Sequence, residues 1–333
     1  SNLKKILLIA TGGTIASKPT KVGLVPSITS QEILEFVPSI SDYCCVDAVQ
    51  LMNIDSSNMS PEKWIMIANC VKENYDKYDG FVITHGTDTL AYSAAALSYL
   101  IQNSSKPVVM TGSQKSIYLQ DTDARKNLKD SFIYACDDKA CGVHIVFDSK
   151  VIVGTRARKT RTHSYNAFDS VDYPIVAVVF NDRVVYYIEE SYEDEVVFYD
   201  RLNTNVNVVK LIPGMRPEIF EFIGSISDVL IIEGFGVGGL PSYDEERALL
   251  ETVKKLESEG KIFVMSTSVP HEGSNIEVYQ VGNEAKSNHN ILETYNMTLE
   301  STVCKMMWIT SQTSDIDEVE RMYYSPIAND IVL

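Results

Sequence analysis

Long apolar runs are missing from this chain: none approaches the roughly 18 residues that suggest a membrane span. The strand-like opening has no signal-peptide anatomy either. Cysteine is sparse and unpatterned. Cys44, Cys45, Cys70, Cys136, Cys141 and Cys304 show no C-x-x-C spacing, which removes the signatures of a zinc site and of a disulfide framework. A reducing cytoplasm is the expected home; a mature secreted form stripped of its leader is the alternative that the start at Ser1-Asn2 leaves open. Positive charge is also in deficit, since 29 Lys and Arg against 45 Asp and Glu leave a formal net charge of −16. That balance disfavours nucleic acid as a partner and points to contact with small molecules. No solenoid-length repeat and no low-complexity tract appears.

What is present is alternation. The 333 residues suffice for two domains, and 45% apolar composition supplies each with a core. Short apolar runs separated by segments of helical period predict an α/β fold. Strands are expected over 5–10, 81–84, 107–111, 143–148 and 175–180. A helix is expected from Pro61 to Tyr75, with Ser60 as cap and Trp64, Ile67, Ala68 and Val71 on one face; another runs from Leu90 to Ile101. The acidic and Asn-rich stretch that follows reads as a hairpin plus an exposed linker. Strands at 208–212, 229–233 and 262–266 and helices at 244–259 and 298–312 then resume the pattern. The expected organisation is a larger N-terminal domain over 1–190 with a mostly parallel sheet flanked by helices, a linker over 191–210, and a smaller C-terminal α/β domain over 211–333.

Two segments share one design, an apolar strand that enters a threonine-bearing glycine turn. Lys5 to Ala10 leads into Thr11-Gly12-Gly13-Thr14, and Phe81-Val82-Ile83 leads into Thr84-His85-Gly86-Thr87-Asp88-Thr89. In an open parallel sheet such turns lie at the carboxyl ends of strands, where a small ligand reaches side-chain hydroxyls. Thr14 is the leading nucleophile, on a turn with little bulk around it and backbone N–H groups for an oxyanion. Read alone, the same residues equally suit a tight turn with Thr14 as a cap. A phosphate cradle is weaker, because neither G-x-G-x-x-G nor G-x-x-x-x-G-K-[ST] is present.

A threonine hydroxyl needs help to attack at neutral pH. Thr87, Asp88 and Lys159 supply a hydroxyl, a carboxylate and an amine for a relay analogous in role to a serine triad. Taken singly, Asp88 also suits a helix N-cap and Lys159 a solvated basic run, Arg156 to Arg161. His85 reads as a structural donor rather than a base. Asp55, Ser56 and Ser57, just before the Pro61 helix, suit either a ligand carboxylate or a capping turn.

Together, Thr11-Gly12-Gly13-Thr14-Ile15-Ala16, Asp55-Ser56-Ser57, His85-Gly86-Thr87-Asp88-Thr89, Thr111-Gly112-Ser113-Gln114 and Lys159 occur in the order seen in L-asparaginases. Over nearly its full length the chain resembles the bacterial asparaginase/glutaminase family, and within it the cytosolic type I enzymes. The resemblance implies that Thr14 attacks the side-chain amide of asparagine, ammonia leaves, and water cleaves the aspartyl ester. It assigns Thr87, Asp88 and Lys159 to the second catalytic group, Ser56 to the substrate α-carboxylate, Asp88 to its α-ammonium, and Asp55 and Ser57 to the pocket lining. It implies no cofactor and no metal, and a homodimer or homotetramer. Three positions depart from the family pattern: Leu24 stands where a tyrosine is common, Gly239 where an asparagine is common, and only Glu277 lies near the place of an acidic residue lent across subunits.

Hydrolysis of L-asparagine is the expected activity. A dual asparaginase–glutaminase, a non-catalytic asparagine sensor and an ammonia-supplying amidotransferase subunit are the alternatives. The last usually carries an additional N-terminal domain, whereas here only thirteen residues precede Thr14.

Overall fold

The computed structural model describes residues 2–236, 244–275 and 291–333. The chain divides into two compact units, Ser1–Asp200 and Arg201–Leu333. Gly239 and Glu277, weighed above, lie outside the described residues.

The first unit is built on an eight-stranded sheet: β1 (Lys4–Gly12), β2 (Cys44–Ile54), β3 (Gly80–Thr84), β4 (Pro107–Thr111), β5 (Gly142–Phe147), β6 (Lys150–Val153), β7 (Ala177–Phe180) and β8 (Arg183–Tyr186). Their order is β8-β7-β6-β5-β4-β3-β1-β2. The strands from β2 through β1 and β3 to β5 run parallel, and β6, β7 and β8 continue antiparallel. Buried on both faces, β1 carries no polar side chain from Ile6 to Ala10, as a central parallel strand requires. Each of its large side chains contributes roughly 1.5–3 kcal/mol by leaving water.

Helices cover both faces. Ile6 and Leu8 of β1 join Val82, Val109 and Val146 in one cluster with Ile33 of α1 (Ser30–Glu35) and Leu128 and Phe132 of α4 (Ala124–Ala135). The intervening Leu7 and Ile9 point to the opposite face by the strand period of two. There α3 (Leu90–Leu100) packs on β4 and β5 and pairs with α2 (Pro61–Asn74).

The strand order places the site. From β1 the chain crosses to β2 on one side, while from β3 it passes through α3 to β4 on the other. The turns after β1 and β3 therefore part at the carboxyl edge of adjacent strands, the place where open α/β sheets leave a crevice.

The second unit holds a parallel sheet in the order β9 (Val206–Lys210), β10 (Val229–Gly234), β11 (Ile262–Thr267) and β12 (Ile291–Glu293). Val209, Phe220, Leu230, Ile232, Val253, Phe263 and Met265 form its core with α5 (Pro217–Ser225) and α6 (Asp244–Ser258). Between α7 (Leu299–Thr310) and the C-terminal segment after α8 (Ile316–Tyr324), Lys305 Nζ lies 2.8 Å from Asp330 Oδ2, with both side chains fully buried. Burial lowers the Lys305 ammonium pKa, and Asp330 opposes that shift.

Several elements depart from the sequence expectations. β2 was not anticipated, because as an edge strand it mixes Asp47, Gln50 and Asn53 with half-buried residues. The segment after Thr14 forms a hairpin, Ser17–Thr20 against Gly23–Pro26, with Leu24 exposed in its second strand. Ser60 stands at the α2 N-cap position but its side chain makes no cap bond. The acidic stretch is tied down rather than free: His144 Nε2 and Glu190 Oε1 lie 2.7 Å apart, and Val197–Phe198 pairs with Ile101–Gln102. Among the described residues no helix is long and apolar enough to cross a membrane.

Candidate active site

Four glycines bring the strand ends into contact. At Gly12, with φ of 104°, a Cβ would stand 2.5 Å from the Ile54 backbone, and Gly13 N–H donates to Ile54 O at 2.8 Å. Gly13, φ 83°, would place a Cβ 2.4 Å from Gly86 N. Gly86 in turn lies against Ser56, whose Cβ would be 2.4 Å away, and Gly112 against the His85 carbonyl. Such approach is open only to glycine. The turn bearing Thr14 thus rests on the turn bearing Thr87, which rests on Ser56.

Thr14 begins a short 3-10 turn, Thr14–Ala16, and is half-buried. Its side chain caps nothing: the N-cap residue is Gly13. Ser17 Oγ donates to Gly13 O at 2.7 Å and Ile117 N–H to Ile15 O at 3.1 Å, so the turn is anchored from both sides.

The second turn is bonded. Lys159, in a short strand Ala157–Lys159 paired with Phe168–Ser170, donates from Nζ to Thr87 Oγ1 at 2.9 Å and to Asp88 Oδ1 at 2.8 Å. Its side chain is only 17% exposed while that of Asp88 is 70% exposed, so the solvated-run reading fails for Lys159. Nor is Asp88 a helix cap, since Thr89 occupies that position in α3. Thr89 Oγ1 instead donates to Ser56 O at 2.8 Å and ties the two loops together. Asp55 accepts from Ser57 N–H at 3.0 Å, which is the capping arrangement; Ser56 is buried and Ser57 exposed.

One neighbour of Thr87 was quoted in a motif but given no role from sequence. Gln114 lies in the 112–115 turn, held by Asp123 through the N–H groups of Gln114 and Lys115 at 2.9 and 3.0 Å. Its amide nitrogen donates to Arg161 O and Ser164 O, at 3.2 and 3.1 Å. That fixes Oε1 toward Thr87 Oγ1, a long 3.5 Å contact. The signal was its place after β4, in the same position as the other two turns after β1 and β3.

His85 is fully buried and its pKa falls to about 4, because desolvation outweighs its bond to Gly86 O. It is neutral, as a structural donor should be: Nδ1 lies 2.6 Å from Gly86 O and Nε2 2.8 Å from Ser93 Oγ. The structure therefore brings Thr87, Asp88, Lys159 and Gln114 into one cluster and stacks the Thr14 turn and Ser56 against it. Among the described residues no bond links the Thr14 hydroxyl to that cluster, and no group of three His, Cys, Asp or Glu is placed to hold a metal.

Residues 5–192 match the family described as Asparaginase, N-terminal, and residues 205–323 match the Glutaminase/Asparaginase C-terminal domain. An L-asparaginase of Thermococcus kodakarensis is 36% identical over 329 residues, 98% of this chain and 99% of the relative. The solved structure of the thermostable L-asparaginase from Thermococcus kodakarensis superposes with a TM-score of 0.93 at 35% identity, covering 98% of this chain and 99% of the other. A glutamyl-tRNA(Gln) amidotransferase subunit of Metallosphaera sedula is 34% identical over 333 residues, 96% of this chain and 74% of the relative. The chain belongs to the asparaginase/glutaminase family.

Proposed function

We propose that the protein is an L-asparagine amidohydrolase working through a β-aspartyl ester on Thr14. The observation that carries this reading is the Lys159 ammonium held between the Thr87 hydroxyl and the Asp88 carboxylate, beside a glycine turn that presents a second hydroxyl with no cap role. Thr14 Oγ1 adds to the side-chain amide carbon, and its proton passes to the nitrogen, which leaves as ammonia. Water then adds to the ester, returns a proton to Thr14 Oγ1 and releases L-aspartate. Lys159 and Thr87 move the protons, and Asp88 holds Lys159 in place. The second oxygen of Asp88 takes the substrate α-ammonium, while Ser56, with Asp55 and Ser57 beside it, takes the α-carboxylate.

The chemistry as written uses side chains alone and takes a small amide as its partner. The motifs quoted above support a cytosolic, type I-like enzyme that works as a homodimer or homotetramer. The test is ammonia release from L-asparagine and from L-glutamine. A pocket discriminates one methylene by about 10–200-fold in kcat/KM, so a preference of that order for asparagine supports the reading. Equal values would make the protein a dual asparaginase–glutaminase, and release from neither would favour a sensor.

A second reading, a subunit that supplies ammonia to a tRNA-linked partner, is favoured by the Metallosphaera sedula relative. Rapid turnover of free asparagine by this chain alone would count against it.

A further inference from the structure

We propose that Trp64, Ser93 and His85 form a one-directional hydrogen-bond chain that positions the Gly86–Thr87 peptide for catalysis, with His85 a neutral positioning residue. The proposal rests on the amidohydrolase reading for its catalytic consequence, and on distances and burial for its structure.

Trp64 Nε1 donates to Ser93 Oγ at 2.8 Å, Ser93 Oγ and His85 Nε2 are 2.8 Å apart, and His85 Nδ1 and Gly86 O are 2.6 Å apart. With the fully buried imidazole neutral, the two ends fix every direction between them. An indole N–H only donates and a carbonyl oxygen only accepts. His85 must therefore carry its proton on Nδ1 and give it to Gly86 O, which leaves Nε2 to accept from Ser93. Ser93, having received the Trp64 proton on its oxygen, has its own hydroxyl proton free to donate. One tautomer satisfies all three groups, and each is buried.

The consequence falls on the next residue. No described peptide bond is cis, and in a trans peptide the N–H points opposite to the C=O. Anchoring Gly86 O on the imidazole turns the Thr87 N–H away from it, and among the described residues that N–H meets no backbone acceptor. Thr87 is also the residue whose hydroxyl receives Lys159. The same peptide is wedged between Gly13 and Ser56, where even a Cβ on Gly86 would stand 2.4 Å from Ser56. A rotation of this plane would thus disturb three parts of the site at once: the Thr14 turn, the Ser56 loop and the lysine-bound hydroxyl. His85 touches none of the reacting atoms, so its effect passes through the peptide.

The experiment combines three variants with a spectroscopic readout. In His85→Asn the short amide keeps a donor where Nδ1 stood; in His85→Gln the longer amide reaches the Nε2 position instead. Asparagine hydrolysis by His85→Asn is expected to keep kcat within about 10-fold of the unaltered protein, and His85→Gln to lose about 100-fold with KM little changed, the scale of one misplaced donor. Equal kcat in the two variants would overturn the proposal. Nitrogen-15 NMR of the imidazoles, with the signal of His85 among the five histidines assigned by its loss in His85→Asn, should show the Nδ1-protonated neutral ring at pH 7. An Nε2-protonated or charged ring would contradict it. If the His85 variants do not fold, Trp64→Phe decides: with the end donor gone Ser93 loses the partner that aims its proton at Nε2, so a shifted Nε2 signal and a lower kcat are expected, and an unchanged Nε2 signal and kcat would refute the chain. Failure of the unaltered protein to hydrolyse asparagine would sink the amidohydrolase reading, while the tautomer result would still decide the hydrogen-bond chain.

Discussion

The turns after β1 and β3 are built alike from apolar strand, glycine and threonine, and they differ in what holds their hydroxyls. Thr87 is bonded on two sides, by Lys159 at 2.9 Å and toward Gln114 at 3.5 Å, and its own peptide is anchored by a buried imidazole. Thr14 sits on a turn anchored only through its backbone and through Ser17. A hydroxyl that must form and release a bond to a substrate profits from being unengaged in the ground state, whereas one that shuttles a proton must already touch its amine. On the proposed reading the same local sequence design serves two roles, and the neighbours brought in by strand order decide which.

The largest expected effect separates those roles outright. Thr14→Ala should reduce kcat for ammonia release from asparagine by about 10⁴-fold or more, as loss of a nucleophile does; a fall of less than tenfold would transfer the nucleophile's role elsewhere. Next comes Lys159→Met, which should cost about 10²–10⁴-fold in kcat while substrate binding is largely retained. A change confined to KM would contradict the relay.

A third prediction concerns stability and only the second turn. Burial holds His85 at about 4, against about 6.5 in an unfolded chain. Between these values the unfolded state binds the extra proton, so this contribution is complete above about pH 6.5 and is lost as pH falls toward 4, to a total of about 3 kcal/mol. Urea unfolding over that range should show an acid limb that is reduced in His85→Asn; identical limbs would mean that the imidazole is not held neutral by burial. The smallest effect is expected for Gln114→Ala. Removing one long contact from Thr87 should lower kcat by about tenfold, equivalent to about 1.4 kcal/mol, and an unchanged kcat would leave Gln114 as a brace for residues 161–164 only.

Much of this was legible because it is local. The strands β1, β3 and β4 announce themselves as short apolar runs, and the helices α2, α3, α6 and α7 by their period. β2 escaped because an edge strand has a wet face and a mixed composition, and α4 because Ala124–Ala135 sets Arg125, Lys126 and Lys129 among its buried residues and buries the polar Asn127 and Asp130 as well. In the site, Thr14, Thr87 and Asp88 stood out on their own glycine turns. Lys159 was legible only as a candidate amine set against a solvated-run reading, since its approach to Thr87 joins residues 72 positions apart, and nothing in a basic run tells which cation turns inward. Gln114 was hidden for a related reason: its orientation comes from two carbonyls that sequence does not place beside it.

The central claim is that the oxygen of Thr14, and not that of Thr87, carries the acyl group. Rapid acid quench during turnover of L-asparagine, followed by peptide mass spectrometry, reads this directly. The account predicts an aspartyl adduct on the peptide containing Thr14 and none in Thr14→Ala. An adduct on the peptide containing Thr87, or steady turnover by Thr14→Ala, would contradict it.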